Sequence, residues 1–173
     1  MRVAKVIGAA KSDVVLFRWS DDKLKAKDFP LGKKRGKAYP LTRRYRWQVI
    51  TFRALGRNFR VLVAYHLLAP EFITTLAEEI AGDSRVLARW EFHGTHAGWH
   101  VHTVCGDTDG LSVGVIKPLG TKRIRDKACY HRHMKMLNDG HGMDDAIASA
   151  VACNLVRIGH QADILVRSAV PWL

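Results

Sequence analysis

A chain of 173 residues with 47% hydrophobic content is long enough to bury a core, and no apolar run reaches the ~20 residues a membrane-spanning helix needs, so no membrane partner is expected. Lys and Arg number 28 against 16 Asp and Glu, a formal net charge of +12; this points to a polyanion, nucleic acid first, because each neutralised phosphate releases counterions. Cys105, Cys129 and Cys153 are an odd number with no CxxC spacing, so neither a disulfide framework nor a cysteine zinc knuckle is indicated, and an N-terminal run without a signal-peptide core implies the cytoplasm.

In chain order, residues 3–7 and 14–17 are short β-like runs. Composition then shifts over 21–46, where Lys33, Lys34, Arg35, Arg43 and Arg44 sit among prolines and glycines. This reads as a flexible basic segment. Phe29, Tyr39 and Tyr45 are interleaved with its cations, so bases of a single strand can stack on rings while phosphates meet charges; a solvated linker has the same composition. Residues 1–46 are therefore set apart from a domain over 47–173. Residues 47–52 and 59–67 alternate as strands around a turn at Leu55-Gly56-Arg57-Asn58. Pro70-Glu71 predicts a helix start, with Phe72, Leu76 and Ile80 as the buried stripe and Gly82 as its end. Residues 85–93 and 99–104 are strands, 106–110 is a loop, and 111–116 and 163–166 are further strand candidates. A basic helix is expected from 121 to about 137, and another opens at Met143-Asp144-Asp145 with Ile147, Val151, Leu155 and Ile158 as its apolar face. Hairpin, helix, hairpin, helix, helix predicts an α+β fold: an antiparallel central sheet with helices packed on one face.

The chemistry concentrates in Trp90-Glu91-Phe92-His93-Gly94-Thr95-His96-Ala97-Gly98-Trp99-His100-Val101-His102. Strand alternation puts His100 and His102 on one face, and Glu91 and His93 share a face in the same way. Gly94 to Gly98 reads as a turn folding the second strand back on the first, which brings a third ligand to the histidine pair. His93, Glu91 and His96 are the choices; parity favours His93, with the Glu91 carboxylate left to orient a ligand. The same histidines also suit an exposed sheet face or a structural zinc site.

Glu-x-His, a glycine turn and His-Val-His resemble the second motif of the HUH nucleases, a family of rolling-circle replication initiators, conjugative relaxases and single-strand transposases. The resemblance covers about twenty residues closely. It implies a ferredoxin-like, HUH-type sheet and one divalent cation, Mg²⁺ or Mn²⁺, held by His100, His102 and His93 or Glu91 against a phosphate of single-stranded or hairpin DNA. Host replication proteins would be possible partners of such an enzyme. It also implies a tyrosine on a helix that attacks phosphorus and is left as a 5′-phosphotyrosine, with a free 3′ hydroxyl on the other fragment. Tyr130 is the candidate: on a helix Arg123, Lys127, Tyr130, His133 and Met134 fall close to one face, and Arg132 adds a further cation for the phosphates.

The chain departs from the initiator pattern of Tyr-x-x-Lys, since His133 stands three residues after Tyr130, and Tyr39 and Tyr45 are rivals by analogy with relaxases. His131 and His133 differ by two on a helix and make a poor ligand pair, whereas His133 alone can reach the site; His66 and His160 read as core-edge histidines. No GxxxxGK[ST] loop is present, so a fused helicase is excluded. Two other classes fit the same residues: a metal-independent histidine phosphoesterase or RNase, and a non-catalytic basic nucleic-acid-binding protein.

Overall fold

The computed structural model of the protein describes residues 1–32, 39–69, 71–93 and 99–126. A six-residue helix, α1 (Val3–Gly8), precedes seven strands: β1 (Ser12–Leu16), β2 (Tyr45–Ala54), β3 (Arg57–His66), β4 (Glu71–Ile80), β5 (Asp83–His93), β6 (Trp99–Thr103) and β7 (Lys122–Asp126). All pair antiparallel in chain order, forming one meandering sheet. The expected α+β layout is corrected by this: among the described residues α1 is the one helix, and no helical layer packs on the sheet. The third predicted helix, from Met143, and the strand candidate at 163–166 lie outside the described residues.

The largest correction is β4. Phe72, Leu76 and Ile80 recur every four residues, but four is also an even number, so the same spacing lines one face of a strand. β-Branched Ile73, Thr74 and Thr75 favour the strand, and burial is continuous from Phe72 to Glu78 because both sheet faces are covered there. Gly82 does not end a helix. Ala81 (φ 50°) and Gly82 (φ 78°) form a two-residue turn between paired Ile80 and Asp83, as Leu55 (φ 52°) and Gly56 (φ 72°) do between Ala54 and Arg57. Two positive φ angles in a row give a turn whose twist matches that of the strands it joins.

Smaller departures have similar causes. Residues 3–7 are helical rather than β-like, since Val3 and Val6 are spaced to bury one helical stripe. Residues 111–116 form no strand. The N-terminal part of the expected basic helix is β7, whose Lys-Arg-Ile-Arg-Asp alternates with a period of two. The helical face that would join Arg123 to Tyr130 is therefore not formed at its Arg123 end.

Each sheet face carries its own core. Ile50, Phe52, Phe59, Val61, Val63, Phe72, Leu76 and Phe92 pack on one side beneath Val3 and Val6. Trp47, Val49, Leu62, Ala64 and Ile73 pack on the other beneath Leu24, Phe29, Leu31 and Tyr39. The described part of the basic segment is thus a cover for the sheet, and its aromatic rings are spent in the core instead of being offered to bases: Phe29 and Tyr39 are buried.

β5 serves both sides because of one extra residue. Leu76 pairs with Ala88 but Ala77 pairs with Val86, leaving Leu87 as a bulge. Before the bulge, odd-numbered Arg85 meets Glu78 on the α1 side; after it, odd-numbered Arg89, Glu91 and His93 fall on the side of Trp47 and Tyr39.

Candidate metal centre

The β5–β6 hairpin sets the site by register. Glu91 lies directly opposite His100, and Arg89 directly opposite His102, so all four project from the same sheet face. His100 Nε2 lies 2.9 Å from Glu91 Oε2, and His102 Nε2 lies 3.2 Å from that same oxygen. The other carboxylate oxygen, Oε1, accepts from the Arg89 guanidinium. Glu91 and His100 are each only 5% exposed, so the carboxylate is held by Arg89 and His100, with His102 beside it, away from bulk water.

Charge follows from this geometry. Burial alone would raise the Glu91 pKa, but the Arg89 charge and the hydrogen bond from His100 outweigh it and hold the carboxyl below its ordinary range. Burial pushes both imidazoles toward the neutral form, against the pull of Glu91; Arg123 adds to the effect at His100, Arg89 and Lys117 at His102. An Arg123 guanidinium nitrogen sits 3.4 Å from His100 Nδ1. Arginine can only donate, so that ring nitrogen is the acceptor and His100 carries its proton on Nε2, facing Glu91.

The donor set fits a divalent ion. One ligand atom each from Glu91, His100 and His102 lies within 4.8 Å of the others, a spread that a single ion can bridge. Imidazole nitrogens beside one carboxylate suit Mn²⁺ or Zn²⁺ better than Mg²⁺, which prefers oxygen. Ligation through Nε2 of His100 would move its proton to Nδ1, which requires the exposed Arg123 to turn away.

The sequence favours His93 as the third ligand, whereas the residue that stands together with His100 and His102 is Glu91. Glu91 completes the cluster, while the His93 ring stacks on His100 with centroids 5.5 Å apart. The two rival tyrosines are poorly placed as nucleophiles. Tyr39 is buried and accepts from Thr75, and its pKa is raised by burial. Tyr45 donates to Glu71, and burial with that bond pushes its pKa up as well. Arg43 and Arg44 are exposed just before β2, at the sheet end that carries Glu71 and His93. Tyr130, His133, Lys127, Arg132, Lys33, Lys34, Arg35, His96 and His131 lie outside the described residues. Arg89 and Lys117 stand outside the motif that the sequence brings forward, although Arg89-x-Glu91-x-His93 alternates visibly on one strand face.

Fold and site together define a class: an antiparallel meander carrying a two-histidine, one-carboxylate cluster beside arginine. Compared with known protein families, with curated proteins and with solved structures, the chain matches none. Among the described residues no helix is long and apolar enough to cross a membrane.

Proposed function

We propose that Glu91, His100 and His102 hold a divalent cation against a phosphate of single-stranded or hairpin DNA, and that the chain nicks and rejoins that strand through a phosphotyrosine at Tyr130. The observation that carries this is the convergence of both Nε2 atoms on one oxygen of a buried carboxylate. A bound Mn²⁺ would polarise the phosphoryl oxygens and offset the charge that builds on them. The surrounding cations supply what the cluster lacks. Arg123, exposed and within reach of His100, exchanges that contact for a phosphate oxygen, and the +12 charge of the chain draws the strand in. The phenol oxygen of Tyr130 attacks phosphorus, the bond to the 3′ oxygen breaks, and that oxygen takes a proton to leave as a hydroxyl.

The test is a gel assay for a covalent protein–DNA adduct with Mn²⁺, alongside calorimetric Mn²⁺ binding. Tyr130→Phe is expected to abolish the adduct and keep the metal; Glu91→Gln is expected to lose both. An adduct that persists in Tyr130→Phe refutes the nucleophile, and a protein that takes no Mn²⁺ refutes the site. A second reading has its own observation: His100 and His102 stand together at Glu91 with their pKa values lowered by burial, which favours the neutral imidazole that a general base in phosphodiester cleavage requires. Cleavage that continues in EDTA selects it.

A further inference from the structure

Beside the cluster lies a pocket of about 680 Å³, within the size range of small-ligand sites. Its walls are aliphatic, from Leu31, Pro40, Val115 and Ile116, and among the described residues its two charged lining residues, Arg89 and Lys117, are both cations. Arg89 is also the residue bonded to Glu91, and the charge of Lys117 is felt by His102. Pocket and cluster therefore share a cationic border.

The walls are tied together before any ligand arrives. Gly114 N donates to Ser84 O at 2.8 Å, and Gly32 N donates to the Asp83 carboxylate at 3.0 Å, so the strap through Val115 and Ile116 is held on β5 next to the segment carrying Leu31. The approach is close: a Cβ on Gly114, whose φ is +76°, would stand 2.9 Å from Gly32 N.

We infer that this pocket receives one nucleobase of the bound strand, turned out from its neighbours and sandwiched between aliphatic side chains, with its own phosphate at the Arg89–Lys117 border. This rests on the phosphate site proposed above and adds the part of the substrate that lies beside it. Apolar side chains hold everted bases, and the cost of turning a base out is least in a single strand, which agrees with the substrate form. A ring in the pocket displaces water from Val115, 41% exposed at present, and leaves the anionic end of the nucleotide against two cations, with no carboxylate among the described lining residues to repel it.

The experiment is calorimetric titration of the full chain, in Mn²⁺, with each of the four deoxynucleoside 5′-monophosphates and with 2-deoxyribose 5-phosphate, which keeps the phosphate and lacks the base. At least one nucleotide is expected to bind about tenfold more tightly than the sugar phosphate, the order of gain that one sheltered base gives. Val115→Asp, a change at an exposed position, is expected to remove that margin and leave Mn²⁺ affinity as it was. Equal binding of nucleotide and sugar phosphate, or a margin that survives Val115→Asp, overturns the pocket while Mn²⁺ binding upholds the metal site. A wild-type chain that binds no Mn²⁺ removes the phosphate site and this inference with it.

Discussion

Replacing Glu91 by Gln keeps the shape of the side chain and removes one charge from a place where a guanidinium and two imidazoles meet. The Arg89 side chain, 11% exposed, cannot give up its proton, and its Nε has no partner among the described residues, so the variant leaves a largely buried cation without its counter-charge. Two unit charges about 4 Å apart attract by roughly 4 kcal/mol at an effective dielectric of about 20. Breaking one side of a buried pair costs about 3–5 kcal/mol for the same reason, so Glu91→Gln is expected to lose about 3 kcal/mol or more in EDTA. Arg89→Met combined with Glu91→Gln removes the stranded charge, and the amide oxygen that the second substitution introduces still accepts from His100; the double variant is expected to recover at least about half of the loss. Urea unfolding followed by circular dichroism gives both numbers. A single variant within about 1 kcal/mol of wild type, or a double variant as unstable as the two single losses added together, would show that Arg89 and Glu91 are not coupled as the geometry requires.

The metal-free protein should lose stability on acidification. His100 and His102 bind protons more weakly folded than unfolded, so their contribution is complete above the ordinary histidine value of about 6.5 and falls as pH drops below it toward the folded values. Glu91, also lowered, keeps its contribution above about 4.3 and loses it as pH falls through its own folded value. Urea midpoints in EDTA that stay level or rise between about pH 7.5 and 5.5 would contradict this. Among the turns, Leu55→Asn suits the left-handed φ of 52° better than a leucine that is 53% exposed, and should gain about 1 kcal/mol, read as a higher melting temperature; no gain would deny the strain. Gly114→Ala should lower the melting temperature by the equivalent of about 1–3 kcal/mol, because its Cβ meets the Gly32 backbone; an unchanged melt would show that the strap yields.

Much of the site was legible in the chain because a period of two leaves little choice: Glu91 with His93, and His100 with His102, each had to share a face. The choice between Glu91 and His93 was not legible, since it depends on which residue sits opposite His100, and register is fixed by turn geometry in three dimensions. The fold was misleading where spacing admits two periods. Phe72, Leu76 and Ile80 satisfy helix and strand alike, and the preceding Pro70-Glu71 pointed to the wrong one. Tyr39 and Phe29 look like surface rings in the sequence because their neighbours are charged, yet a segment can be basic in sequence and still bury every second or third side chain.

The added residue at Leu87 sets the phase of everything that follows it on β5. Were Leu87 paired like its neighbours, Arg89 and Glu91 would join Arg85 on the α1 side, and His100 and His102, paired opposite them, would turn with them away from Tyr39. Deletion of Leu87 itself, by contrast, lets Val86 and Ala88 pair in succession with Ala77 and Leu76 and keeps the carboxylate on its present face, so it is the extra residue's being unpaired that holds the site where it is.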